Sequence, residues 1–591
     1  MCLRTDEVTD PMVRPGGEWV SGIVSEWAGE TARTVLRMWP VRGGEAVDLL
    51  VDPAPASGRS PSGGVHEWNH DGSTVWVVTK DTGIVAVRME GDGPVAVEAT
   101  GFDGGRSWWG PSLDADGTTL WAVADWNEVW SLHLATGALT CEFAAGDGFV
   151  VDVDGRGEGR CHTWARPDMA WTTSHIHPSE AVDGVAVQQP RSTRNGATRG
   201  MVTDASGVMN VVLEPDAWSD ARTVIDDACE HAGPTWGPGQ RTWCASPDGS
   251  RVAYTRNEDG FGSLWVLDRR TGDRRMLGRG VHGCVSWEGD TVAAWRSGAR
   301  TSPQVVAYDM SNDGERRVVV DPSGETWSSP EVAVHLVEPT VHRAKADDGA
   351  EIPYRLYRAA QGDAGLICWV HGGPIDQWQV TFRPRMAYWL SRGWSVVVPD
   401  HRGTTGHGRA FASALEGRWG ELDSSDTETV LMDVAAVHGF DAACTVLMGA
   451  SAGGLTALNV VANGRAQVAG AVLHFPVTDM AELLRGNDPF ETHYMPRLVG
   501  AGSRHDPAAQ VRSPLARADE LTGAPILVFH GDLDTSVPLD HSLLLRDAVN
   551  SAGGNLRLVL MPGEGHGFRN PQNLVREYEV TGQFLDVVAR R

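Results

Sequence analysis

Gly449-Ala450-Ser451-Ala452-Gly453 follows the apolar run Thr445-Val446-Leu447-Met448 and precedes the helix-compatible stretch Leu455 to Ala462. A Gly-x-Ser-x-Gly pentapeptide between a strand and a helix reads as a turn so sharp that only small residues fit on either side. Such a turn holds the serine hydroxyl above the sheet edge, where a carbonyl carbon can reach it. A hydroxyl is a poor nucleophile at neutral pH, so the chemistry also needs a base to take its proton and an acid to orient that base.

Both follow downstream in the order Ser, Asp, His. The run Ile526-Leu527-Val528-Phe529 leads into His530-Gly531-Asp532-Leu533-Asp534-Thr535-Ser536-Val537-Pro538. The run Leu556 to Leu560 leads into Met561-Pro562-Gly563-Glu564-Gly565-His566-Gly567-Phe568. Each group then sits in a loop at the C-terminal end of a parallel strand, where open α/β sheets place their sites. Ser451, Asp534 and His566 are the expected triad. Asp532 and Asp540 are rival acids, and His530, His474 and His541 rival bases. None of those histidines is flanked by glycines after a late strand. A further run, Leu366-Ile367-Cys368-Trp369-Val370, ends in His371-Gly372-Gly373-Pro374. A tetrahedral oxyanion needs backbone N–H donors; Gly373 in this loop and Ala452 after the serine are the expected pair.

The 591 residues exceed one core and suggest two to four domains. Apolar content of 41% and charged content of 21% describe an ordinary globular chain. A formal net charge of −27 argues against a nucleic-acid partner. No apolar run approaches the roughly 18 residues of a membrane span, and the N-terminus lacks a signal-peptide pattern. The 8 cysteines are scattered, without a Cys-x-x-Cys pair or a zinc-like spacing. The expectation is a cytoplasmic protein with no cofactor and no metal; homo-oligomerisation stays open.

Tryptophan divides the chain: 19 of 24 lie in residues 1–335. That part repeats a local pattern. Asn69-His70-Asp71-Gly72-Ser73, Asp114-Ala115-Asp116-Gly117-Thr118 and Ser246-Pro247-Asp248-Gly249-Ser250 each precede an apolar strand, and Ser286 to Trp295 is a degenerate copy. Asp-Gly turns between short alternating strands signal hairpins. A period of about 40–45 residues fits one propeller blade, which predicts about seven blades. The tryptophans are expected to pack between blades. Residues 140–230 are poorly periodic. From 336 to 591, strand runs at 366–370, 394–398, 444–448, 470–474, 526–529 and 556–560 alternate with helical patterns, the signature of a largely parallel, doubly wound sheet. The fold class expected is an N-terminal β-propeller, 1–335, followed by a C-terminal α/β-hydrolase domain, 336–591.

This combination resembles the prolyl oligopeptidase family, in particular its bacterial acylaminoacyl peptidase and dipeptidyl aminopeptidase-like branch. The resemblance rests on His371 to Pro374, Asp400-His401-Arg402-Gly403-Thr404-Thr405-Gly406-His407-Gly408, Trp419-Gly420, Gly449 to Gly454, the 530–538 loop and Gly565 to Phe568. It implies a serine peptidase or amidase whose propeller covers the active site and admits only short peptides or small amides. Two departures stand out. Several members carry an arginine two residues after the catalytic aspartate, where it holds a substrate carbonyl; here Ser536 stands there, with Arg402 or Arg497 as conceivable substitutes. A glutamate pair of the kind that anchors a free N-terminus in dipeptidyl peptidases is not evident in the propeller part. The leading expectation is an aminopeptidase-like hydrolase forming an acyl-enzyme on Ser451. The alternatives are a hydrolase of aminoacylated or acylated natural products, an acyl transferase, and a non-catalytic propeller scaffold.

Overall fold

A computed structural model describes residues 6–28, 31–57, 63–214, 223–484, 493–501 and 506–588. It divides into two compact units, Thr5–Trp327 with Gln379–Phe382, and Ser328–Trp378 with Arg383–Arg591.

The first unit is a β-propeller of seven sheets, each built from strands consecutive in sequence. Six have four strands and the sheet over 149–177 has three, within the stretch whose periodicity is poor. The recurring Asp-Gly dipeptides make the same turn each time. Gly72, Gly117 and Gly249 have φ of +74°, +78° and +73°. The preceding aspartate accepts the N–H of Ser73, Thr118 or Ser250, at 2.9, 3.1 and 3.1 Å. The side chain thus substitutes for a backbone acceptor and stiffens the turn. Trp68, Trp76 and Trp108 are buried in one apolar cluster that also holds Ile23, Leu36 and Leu113, side chains from three successive sheets. That is the inter-blade packing expected of them.

The second unit is built on an eight-stranded sheet. Its strands are β1 (Thr340–Lys345), β2 (Glu351–Tyr357), β3 (Gly365–Val370), β4 (Trp394–Pro399), β5 (Thr445–Ala450), β6 (Gly470–His474), β7 (Ile526–Gly531) and β8 (Leu556–Met561). They lie in the order β1-β2-β4-β3-β5-β6-β7-β8. From β4 to β8 neighbouring strands are parallel, and β1 and β2 extend the sheet antiparallel. The sequence patterns marked the six parallel strands and passed over β1 and β2. β3, β4 and β7 are buried at every residue, so they read as continuous apolar runs rather than alternating ones. The main helices are α1 (Pro384–Ser391), α2 (Leu422–His438), α3 (Ala452–Asn463), α4 (Asp540–Ser551) and α5 (Pro571–Val588). A core including Leu366, Val397, Leu447, Leu458, Leu473, Val528 and Leu545 joins sheet and helices. The sheet therefore holds the C-terminal ends of β3, β5, β6, β7 and β8 side by side.

Candidate active site

Ser451 links β5 to α3 with φ 54° and ψ −122°, a region that L-residues rarely occupy. The turn closes because its flanks lack side chains. A Cβ on Gly449 would lie 2.3 Å from the Gly453 carbonyl oxygen, and one on Gly453 would lie 2.5 Å from those of Val370 and His371. Ala452 opens α3, so its N–H has no acceptor within the helix. The helix dipole makes that end favourable for negative charge.

Asp534, in the loop after β7, is buried. Its Oδ1 accepts the N–H groups of Ser536 and Val537 at 3.0 and 2.9 Å, and its Oδ2 accepts from His566 Nδ1 at 2.8 Å. Burial alone would push the carboxyl up. The His566 hydrogen bond, the Val537 N–H and the charges of His566 and His530 outweigh burial and hold it below the usual carboxylate range. His566 therefore carries its proton on Nδ1 and leaves Nε2 free to act as a base.

The rivals are engaged elsewhere. Asp532 accepts the Gly563 N–H, and Asp540 opens α4. His530 bonds Ser542 Oγ and the Val537 carbonyl, with burial pushing its pKa down. His474 pairs with Glu577, and His541 Nδ1 accepts the Thr478 N–H. Arg402 is paired with Asp426 and Asp348, and Arg497 donates to Glu416.

The loop after β3 reaches the serine: a Cβ on Gly372 would lie 3.6 Å from Ser451 Cβ. His371 is fully buried, and burial pushes its pKa down to about 3. The neutral ring donates from Nδ1 to the Gly372 carbonyl at 2.8 Å and accepts at Nε2 from Thr404 Oγ1 at 2.7 Å. The Gly372–Gly373 peptide is trans, so fixing the Gly372 carbonyl also fixes the opposite direction of the Gly373 N–H. Gly373 itself has φ +120°, a conformation reserved for glycine.

The segment from Asp400 to Thr405 scaffolds this loop. Asp400 accepts from Gln377 Nε2 at 3.0 Å and His407 Nε2 at 2.8 Å, and it is ion-paired with the buried Arg355. The Thr405 N–H donates to the Asp376 carbonyl at 3.1 Å. Asp376 and Phe475 carry no motif signal in the sequence. Asp376 is a recessed carboxyl that burial pushes up to about 6, hydrogen-bonded through its side chain to the Gln377 N–H. Phe475 has φ +36°, and its ring lies 4.4 Å from that of His566.

Among the described residues one group has metal-like donors: Asp227, Cys229 and His231 in the propeller, within 4.8 Å of one another. Arg256 donates to Cys229 Sγ, and Arg274 to Asp227, so guanidinium groups already neutralise the cluster. The Val211 N–H occupies His231 Nδ1 and Asp227 accepts from Nε2, which leaves no free lone pair on the ring. The seven described cysteines are free thiols. No described helix is long and apolar enough to cross a membrane.

A strained elbow serine over a 1-2-4-3-5-6-7-8 sheet, with an Asp–His pair at the ends of β7 and β8, defines an α/β-hydrolase, here joined to a seven-bladed propeller. Residues 380–590 match the sequence model of the prolyl oligopeptidase family. It is 24% identical over 238 residues to acylamino-acid-releasing enzyme 2 of Oryza sativa subsp. japonica, a match covering 38% of this chain and 31% of the relative. It is 28% identical over 235 residues to dipeptidyl aminopeptidase BIII of Pseudoxanthomonas mexicana, covering 38% and 33%. The matched segments thus span about a third of these relatives' length. A puromycin-hydrolyzing peptidase of Mycobacterium tuberculosis shares the fold over 99% of this chain and 94% of its own, with TM-score 0.84 at 21% identity.

Proposed function

We propose that this chain is a serine peptidase or amidase that cleaves aminoacyl amides and short peptides bearing a free amino group. Ser451 Oγ attacks the carbonyl carbon while His566 Nε2 takes its proton. The tetrahedral oxyanion is received by the N–H groups of Ala452 and Gly373. His566 then protonates the leaving amine, and a water molecule deprotonated by the same imidazole hydrolyses the acyl-enzyme. The observation that carries this reading is the 2.8 Å bond from His566 Nδ1 to a buried, low-pKa Asp534, at the same strand-end edge of the sheet as a serine in a strained elbow.

Two features support the preference for a free amine. Ser536 is exposed and neutral where an arginine would grip an upstream carbonyl, and Arg402 and Arg497 are tied to acids. Asp376, close beside Gly373, is a carboxyl that burial pushes up to about 6 against the pull of the Gln377 N–H and the Arg383 charge, so at neutral pH it is ionised and suits an α-ammonium group. The test compares kcat/KM for an aminoacyl p-nitroanilide with its N-acetylated and dipeptidyl counterparts, and includes puromycin, the aminoacyl amide named for the M. tuberculosis protein. The free aminoacyl amide should win. An N-acetylated substrate preferred by about tenfold, roughly 1.4 kcal/mol, sinks the preference, and failure to turn over any amide sinks the activity.

A further inference from the structure

One short segment touches both the proposed nucleophile and the proposed base. The Ser451 N–H donates to the His474 carbonyl at 3.0 Å, and the Val477 N–H donates to the Ser451 carbonyl at 3.2 Å. Between them the Phe475 N–H donates to the Phe529 carbonyl at 2.7 Å. These bonds dictate the path of the chain, and Phe475 is left with φ +36°. Glycine or asparagine ordinarily fills that region, and a bulky residue there is an outlier. The following Pro476 narrows the choice further. A chain that needed only the turn would use glycine, so the side chain must repay the strain.

The ring has a specific place. It is half-buried and meets the His566 imidazole at 4.4 Å between centroids, tilted by 51°. It also stands edge-on to Phe568, at 5.5 Å and 88°. The layer behind it is braced. His474 stacks on Phe529 at 5.4 Å and 17°, pairs through Nε2 with Glu577 Oε1 at 2.8 Å, and Glu577 is in turn paired with Arg385 at 3.0 Å. His566 sits in a glycine-flanked loop and is anchored at Nδ1 by Asp534. One hydrogen bond holds Nδ1 but leaves the tilt of the ring to χ1, χ2 and the glycine-flanked backbone. The Phe475 ring, packed against the imidazole at a tilt of 51°, limits that freedom.

We infer that Phe475 is a positioning residue whose ring fixes the imidazole plane of His566, so that Nε2 stays directed at Ser451. The inference rests on the reading of Ser451, Asp534 and His566 as the triad. The experiment compares Phe475→Ala, Phe475→Gly and Phe475→Tyr by the rate of fluorophosphonate labelling at Ser451 and by kcat and KM on an aminoacyl p-nitroanilide. Glycine suits the backbone, alanine retains the strain, and tyrosine keeps the ring. Labelling and kcat should fall about a hundredfold in both the Gly and Ala variants, with KM and the tyrosine variant within about threefold of wild type. Wild-type labelling in the Phe475→Gly variant would overturn the inference, because the residue would then serve only the turn. A loss confined to KM would also overturn it, making the ring a substrate wall. Should the Gly variant fail to fold, the Ala and Tyr pair decides alone: equal rates reject a role for the ring. If wild type is labelled at Ser451 yet cleaves no amide, the proposed substrate class fails, and the labelling rates still test Phe475.

Discussion

Asp534 divides its two oxygens between the backbone and His566: Oδ1 accepts two N–H groups of its own loop, and Oδ2 accepts from the imidazole at 2.8 Å. The division predicts what Asp534→Asn will do. The two N–H donors will keep the amide oxygen at the Oδ1 position, so the NH2 group must face His566 Nδ1. The imidazole will be forced into the other tautomer, with its proton on Nε2, where it cannot accept from Ser451. We expect a fall of about 10⁴ in kcat with the geometry otherwise kept; a loss below about tenfold would contradict the assignment.

Ser451→Ala should abolish fluorophosphonate labelling and turnover without lowering the melting temperature. Because φ at this position is 54°, Ser451→Gly should relieve strain and stabilise the protein by about 1 kcal/mol, read as a rise of about 2–4 °C in Tm. An unchanged or lower Tm would mean that the elbow is not strained.

Thr404→Val tests the loop that presents Gly373. Removing the hydroxyl takes the donor from His371 Nε2 and leaves a buried, neutral imidazole held only by its Nδ1 bond to the Gly372 carbonyl. With one of its two anchors gone the ring is held less firmly, and so are the Gly372 carbonyl and the direction of the Gly373 N–H. The expected loss is in kcat, about 10–100-fold, just below that of deleting an oxyanion donor outright. Isothermal steady-state kinetics separate this from a change in KM.

Arg355→Met should destabilise the protein at neutral pH. Burial opposes the charged Asp400 carboxyl, but Arg355 and His407 overcome it and bring the pKa down to about 2. A carboxyl with a lowered folded pKa stabilises above its unfolded value, about 3.9, and loses that contribution as pH falls toward 2. Leaving Asp400 buried without its guanidinium should cost about 3–5 kcal/mol, or about 6–20 °C in Tm at pH 7. The gap from wild type should narrow toward pH 4, where the unpaired carboxyl is protonated. A gap constant with pH would dismiss the electrostatic account.

Ser536→Arg should shift preference toward N-acylated and longer substrates. The guanidinium can give a charge-assisted hydrogen bond worth about 1.5–3 kcal/mol to the carbonyl one residue upstream, or roughly tenfold to a hundredfold in the ratio of N-acetylated to free aminoacyl kcat/KM. The Ser536 backbone N–H already serves Asp534, so only the side chain changes. An unchanged ratio would show that this position does not face the substrate.

Local signals carried most of the fold. The elbow pentapeptide, the apolar parallel strands and the Asp-Gly hairpins are each decided within about ten residues, where sterics and side-chain capping act before any tertiary contact forms. The strand-end positions of Asp534 and His566 were legible for the same reason. β1 and β2 were not, because an antiparallel pair joined across Asp347-Asp348-Gly349 has no flanking helix to frame it. The grouping of Gln379–Phe382 with the propeller unit had no compositional mark either.

Side-chain pairings at the site came only from the fold. His371 with Thr404 and Asp400 with Gln377 join loops that follow different strands, and no periodicity encodes a hydrogen bond between them. Phe475 is the sharpest case. By sequence it is an aromatic at the end of a strand; hydrogen bonds involving Phe529, His474 and Val477 set its backbone to a left-handed φ and turn its ring onto His566. Motifs determined which groups do the proposed chemistry. Tertiary structure decided how rigidly they are held, because that depends on contacts between segments far apart in the chain.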